Sequence, residues 1–321
     1  MRTTVVMFMT FAFLGLMALG APVLAEGNEL KARKVDKGPV IDGKPDKIWN
    51  KVRPIKMKLV EGDKGFNVTA SAKAMYTDTD VYFLIRWKDP TYSQNRVYEF
   101  DGTQWEKRKG NEDRLGMLWD INGNIKDFKT KGCAILCHEE GKYMKTNAPS
   151  ERADIWHWKA QRSNPVGYAD DQMLTDIKKK KGHEETGRVA DKKEGGSYSS
   201  NWDEEAKWPK NMFKDMAKSG PVLLKAHMVK ITKASTFAKG AILPREVLSR
   251  PVGSRGDIEA KGIWKKGAWT LEIKRALNTG HDDDVQFDPS KVYYFGMSIF
   301  DNGDGKEHAI AKETAYTLIF K

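Results

Sequence analysis

Only two cysteines occur in the 321 residues, Cys133 and Cys137, so any thiol chemistry is confined to one short segment. Past residue 19 no stretch is long and apolar enough to cross a bilayer, which excludes a later membrane span. No nucleophile–base constellation or phosphate-cradling loop is evident, which argues against a catalyst working alone. Helical periods are few and no solenoid-like repeat appears, so helical and repeat folds are poor fits. Acid clusters such as Asp282-Asp283-Asp284 read as turns or solvated surface.

What is present is more specific. Cys133-Ala134-Ile135-Leu136-Cys137-His138 places a histidine directly after the second cysteine. Two thiols can each add to a haem vinyl group, and the adjacent histidine is then held against the iron as the proximal ligand. The spacing is one residue longer than the usual C-x-x-C-H. A disulfide closing a very small loop, a zinc site with His157 as a further ligand, and two unrelated thiols are the competing readings.

The chain opens with Met1-Arg2, an apolar run over residues 5–19 and Ala21-Pro22-Val23-Leu24-Ala25 before polar residues. That is the pattern of an export signal with cleavage after Ala25, leaving residues 26–321 without a membrane anchor. Export to the periplasm or an equivalent compartment agrees with covalent haem, which is attached outside the cytoplasm. The chain has 55 Lys+Arg against 44 Asp+Glu, a formal net charge of +11. With this compartment and lysines dispersed among acids, the excess reads as solubility and a docking field for an acidic partner, not as a nucleic-acid surface. The run Lys178 to Lys181 reads as a solvated loop.

Many short strands argue for an all-β fold, an antiparallel sandwich in one domain. Residues 68–75 and 81–87, joined by Asp78-Thr79-Asp80, form one hairpin; residues 258–264 and 268–277 form another around Lys266-Gly267. Trp269, Leu271 and Ile273 alternate with Thr270, Glu272 and Lys274, as in a half-buried strand. Residues 113–120 and 292–300 are further strands, and a last one runs over about 308–320. Residues 164–219 show no sustained apolar period and read as surface loops. With the cysteine segment they form a loop-rich or helical insertion at about 131–220.

A second axial ligand is sought nearby. His157 stands between Trp156 and Trp158, an aromatic setting that keeps imidazole neutral and able to coordinate. Met144 is its rival. His183, His227, His281 and His308 have polar or mixed contexts and read as ordinary.

The opening Ile41-Asp42-Gly43-Lys44-Pro45-Asp46 to Trp49, the hairpin end Trp87-Lys88-Asp89-Pro90, Asp113-Arg114-Leu115, residues 154–160 and the strands over 262–320 carry a likeness. The chain resembles the haem-binding γ subunits of type II dimethyl-sulfoxide-reductase-family molybdoenzymes, as in ethylbenzene dehydrogenase. It is most similar to the larger members that add a c-type haem, such as the γ subunit of nitrite oxidoreductase. The resemblance covers most of the chain after residue 25 and implies a β-sandwich with haem at one end. It also implies a non-covalent haem b held by a methionine and a lysine. The methionine carries over onto Met117, which shares a strand face with Leu115 and Trp119. The lysine carries over onto Lys312, which in a continuous final strand would point inward with His308, Ile310, Tyr316, Leu318 and Phe320; Lys274 is the alternative. The implied partners are an iron–sulfur β subunit, a molybdopterin α subunit and a soluble electron carrier.

The leading expectation is therefore an exported electron-transfer subunit with one haem c and one haem b, not catalytic by itself. A stand-alone monohaem c-type cytochrome is the second reading. A carbohydrate-binding-like sandwich, using tryptophans as a sugar platform, is the third.

Overall fold

The computed structural model describes residues 27–61, 66–136, 144–181, 184–303, 308–312 and 314–321. The leader, Cys137, His138 and His183 lie outside the described residues. Thirteen strands form one continuous, folded-over sheet. They are β1 (Glu29–Lys34), β2 (Ile55–Glu61), β3 (Val68–Tyr76), β4 (Asp80–Lys88), β5 (Arg114–Asp120), β6 (Ala153–Lys159) and β7 (Asp170–Lys181). Then come β8 (Glu184–Ala190), β9 (Glu259–Trp264), β10 (Ala268–Ala276), β11 (Val292–Phe300), β12 (Ala309–Ile310) and β13 (Tyr316–Phe320).

The strand order is β8-β7-β6-β5-β11-β12-β2-β3-β4-β10-β9, and β1 pairs in parallel with both β13 and β3. Because β13 also pairs with β11, two routes of hydrogen bonds join β11 to β3. The layer β8-β7-β6-β5-β11 thus folds over the layer β3-β4-β10-β9, an all-β sandwich. Both expected hairpins form, β3 with β4 and β9 with β10. At the second, Lys266 and Gly267 both take positive φ, 53° and 75°. Consecutive left-handed residues match the twist of a two-residue hairpin turn.

Alternation decides what each layer buries. Leu115, Met117 and Trp119 of β5, Trp156 and Trp158 of β6, and Phe295, Met297 and Ile299 of β11 face inward. They meet Phe83, Ile85 and Trp87 of β4 and Trp269, Leu271 and Ile273 of β10. Most rings pack edge-on or tilted, Trp119 against Trp156 at 5.1 Å and Trp158 against Trp269 at 4.9 Å between centroids, while Trp87 stacks on Trp269. On the opposite face of the β3-β4 layer, Trp49 is buried and its Nε1 donates to Glu272 Oε1 at 2.9 Å.

Residues 164–219, expected as loops, are rich in strands. Strands β7 and β8 extend the main sheet, and residues 195–252 join residues 97–107 in small sheets around Tyr98, Phe100, Trp105, Leu243 and Val247. The expected last strand is broken instead. It pauses after Ile310, the Ala311 N–H donates to the Met297 carbonyl at 3.2 Å, and pairing resumes at Tyr316. Seven of the ten tryptophans are buried, and Trp202, Trp208 and Trp264 are half-buried. Among the described residues no helix is long and apolar enough to cross a membrane.

Candidate functional site

The residues that alternate outward on β5, β6 and β11 form a second apolar surface. Leu118, Ala153 and Ile155 lie there, covered by Ile125, Phe128, Cys133, Ile135 and Leu136, with Met144 and Tyr294 against them. The cover is a one-turn α-helix (Phe128–Lys131) running into a 3₁₀ turn (Gly132–Leu136). Gly132, at φ 70°, makes the junction, and a Cβ there would stand 2.1 Å from the Thr314 carbonyl oxygen. Only glycine permits that backbone conformation and that approach.

Cys133 therefore sits on the outer face of the sheet, seated over Gly296 of β11. Burial pushes its thiol up to about 12, so it is held as a neutral thiol.

His157 lies on the same face. Its ladder partner is Gly116 of β5, which in turn pairs with Ser298 of β11. Gly296 pairs with Leu118, which pairs with Ile155. His157 and Gly296 are thus two strands and two residues apart, about 12 Å by ordinary strand spacing. Gly116 and Ser298 between them are small, while Leu118 and Ile155 fill the rest of that block of the face. His157 is 6% exposed, and its Nε2 has no hydrogen-bond partner. Burial, then Lys159, Arg188, Arg114 and Arg162, hold its imidazolium form well below the usual histidine range. The ring is neutral and offers a bare nitrogen, the state in which imidazole binds iron.

The phenyl ring of Phe300 links two buried histidines. His157 lies 5.9 Å from its centroid, and His308 stacks on it at 4.7 Å and 25°. His308, read as ordinary in the sequence, thus belongs to this face. Its polar neighbours gave no signal, because its burial is set by Phe300 from another strand.

Cations crowd the same region. Arg114 lies 5.7 Å from the Phe300 ring centroid and 3.6 Å from Glu112. Glu112 also pairs with Arg162, Arg96 pairs with Glu246, and Asp170 binds both Lys159 and Arg255. Burial would raise Glu112, but Arg162, Arg114 and Arg96 hold it down to about 2. Burial, opposed by Asp170, lowers Lys159 to about 7. Arg96, Arg114, Lys159, Arg162 and Arg255 outnumber the carboxylates Glu112, Asp170 and Glu246, so the region favours an additional anion.

The other expected ligands fall elsewhere. Met117 is fully buried on the opposite, inner face of β5, against the aromatic core. Lys312 is exposed, not inward: the break after Ile310 resets the alternation from which its direction was read. Lys274 is half-exposed and 3.6 Å from Asp80. Met144 packs beside the Cys133 cluster, and its carbonyl accepts from the Gly187 N–H at 2.8 Å. The face that carries Cys133 therefore offers His157 and Met144, whereas the haem b pair is not assembled.

A family model described as ethylbenzene dehydrogenase matches residues 46–312. The chain belongs to the ethylbenzene dehydrogenase family. None of the curated proteins compared with it matches. Among solved structures it is similar to a family 9 carbohydrate-binding module from Caldicellulosiruptor kristjanssonii in complex with glucose. That match has 10% identity and a TM-score of 0.36, covering 91% of this chain and 95% of the module. The same module in complex with cellotriose gives 10% identity and a TM-score of 0.38, covering 91% of this chain and 93% of that one.

Proposed function

We propose that this protein is an exported electron-transfer subunit of a molybdenum oxidoreductase complex, carrying a covalent haem c on the outer face of its β5-β6-β11 layer. The observation that carries the proposal is the pairing of Cys133 with a buried, neutral His157, bare at Nε2, on one face of one sheet. Membership of the ethylbenzene dehydrogenase family supplies the oxidoreductase context.

In this reading Cys133 and Cys137 would hold the porphyrin and His138 its iron. His157 would be the second iron ligand, with Met144 as its rival. A haem bound this way supplies a one-electron couple, its potential set by ligand type, burial and hydrogen bonding. The protein's part is to exclude water, to keep imidazole unprotonated and to place Arg114 and its neighbours where the porphyrin's carboxylates can meet positive charge. Held by two protein side chains, such a haem would supply electron relay rather than a site for substrate. An iron–sulfur subunit next to a molybdopterin subunit would stand on one side of the relay and a soluble carrier on the other.

A second, non-covalent haem is supported only by half. Met117 has the enclosed, apolar setting a thioether ligand needs, but Lys312 faces solvent. No electron path is drawn through that site. The stand-alone cytochrome remains as the second reading for this reason.

The test is a pyridine haemochrome spectrum before and after acidified-acetone extraction, on protein made in a host that attaches c-type haem. One haem retained per chain supports the proposal, and Cys137→Ser should abolish it. A chain that retains none after extraction overturns it.

A further inference from the structure

Arg275 of β10 is fully buried among carboxylates, next to Asp154, which lies on β6 between Ala153 and Ile155 of the Cys133 cluster. Its Nη1 lies 3.5 Å from Asp154 Oδ2 and its Nη2 2.8 Å from Asp284 Oδ2. Asp171 and Asp257 also act on it, so one guanidinium faces four acids, with Asp191 beside Asp154 and Asp284. Asp154, Asp171 and Asp284 are at most 2% exposed.

The acids are anchored one oxygen at a time. Asp154 Oδ2 accepts from Trp156 Nε1 and from the Val285 N–H, both at 3.0 Å, while Asp154 Oδ1 has no partner. Asp284 Oδ2 accepts from Thr279 Oγ1 at 2.6 Å, while Oδ1 is bare. Asp171 Oδ1 accepts from the Gln172 N–H at 3.0 Å, while Oδ2 is bare. Asp191 and Asp257 each approach Asp171, and Asp257 Oδ2 also lies near His281. A buried carboxylate oxygen without a donor is costly. Candidate ligand atoms of Asp154, Asp171 and Asp284 all lie within 4.8 Å of one another. Oxygens bound at about 2.4 Å to one calcium ion stand no farther apart than about 4.8 Å.

We propose that Asp154, Asp171 and Asp284 form a calcium site, completed from Asp191, Asp257 and water. The donors are oxygens, which suits a hard cation over a thiol- or imidazole-seeking one. A cleft of about 1230 Å³ beside the group is lined by His281, Asp282, Asp283 and Ser254, with Lys192 and Lys193. His281 borders both, its Nδ1 3.4 Å from Asp257 Oδ2 and 3.5 Å from Asp284 Oδ2.

A second acidic group, Asp89, Asp113 and Asp301, lacks this arrangement. Both Asp113 oxygens are occupied, Oδ1 by the Asn302 N–H and Oδ2 by the Ser93 N–H and Trp269 Nε1. Only Asp89 Oδ2 is bare there.

The test uses the full chain, stripped with a chelator and titrated with calcium alone by isothermal calorimetry, with melting followed in parallel. One calcium should bind per chain, and at roughly a hundred times Kd the melting temperature should rise by about 5 °C. Asp171→Asn and the milder, half-exposed Asp257→Asn should each weaken binding at least about tenfold. Asp282→Asn, at an exposed position, should leave it unchanged. The proposal fails if the wild type binds no calcium and melts identically in chelator and calcium. It fails equally if binding survives Asp171→Asn at full strength, which would put the ion elsewhere. If Asp171→Asn does not fold, the wild-type stoichiometry and Asp257→Asn decide.

Discussion

Cys133 rests on Gly296: a Cβ built at position 296 would stand 2.4 Å from the sulfur and 2.5 Å from the Cys133 Cβ. The glycine is inside a strand, where it would ordinarily weaken pairing. Here its missing side chain is what lets the cysteine segment lie against the sheet. Gly296→Ala should cost about 1–3 kcal/mol by overpacking and reduce covalent haem, since the thiol must move away. Thermal melting and haem staining on a denaturing gel measure the two effects.

The two candidate distal ligands can be separated. In haem-loaded protein, His157→Ala should convert a six-coordinate, low-spin optical spectrum to a high-spin one, with the haem still attached. Met144→Leu should leave the spectrum as it was and cost less than about 1.5 kcal/mol of stability. The reverse result would move the ligand role to Met144.

Met117 and Lys312 should behave as a core residue and a surface residue. Met117→Ala should destabilise the fold by about 2–5 kcal/mol, while Lys312→Ala should change it by no more than about 0.5 kcal/mol. Denaturant melts check both. Loss of extractable haem in Lys312→Ala would instead show that the chain rearranges to bring the lysine inward.

The failure to read Lys312 from the sequence has a definite cause. Alternation is reliable only while a strand is continuous, as it is through Trp269, Leu271 and Ile273, which all turn inward. Between Ile310 and Tyr316 the backbone leaves the ladder, and the parity count loses its meaning. Asp284 was misread for another reason. Three consecutive aspartates look solvated, but Arg275, distant in the fold's ladder, draws the third one in. The Cys133–His157 relationship was half legible. Motif and aromatic context marked each residue, whereas their shared face follows from β5 lying between β6 and β11. The strands β7 and β8 escaped notice because their charged residues carry no apolar period.

Stability should depend on pH through Asp89. Burial, then Asp113 and Asp301, raise its carboxyl from the ordinary 3.8 to about 7. A carboxyl whose pKa is higher folded than unfolded binds its proton more tightly in the fold. Its contribution is therefore present at low pH and lost as pH rises through about 4 to 7. Asp89→Asn keeps an acceptor for Thr91 and should raise the melting temperature by about 1–3 °C at about pH 8, with little effect at about pH 4. A shift of equal size at both values would remove the electrostatic explanation.

The alternation of β6 has an optical consequence. Trp156 and Trp158 point into the core from either side of His157, which points out, so two indole emitters lie within one or two residues of the proposed iron ligand. The emission nearest that face comes from Trp119, Trp156 and Trp158, which share the core behind it. Resonance energy transfer to a porphyrin there would darken most of it. The ratio of fluorescence in the haem-free and haem-loaded chains then reports how completely a preparation is filled, with no label added.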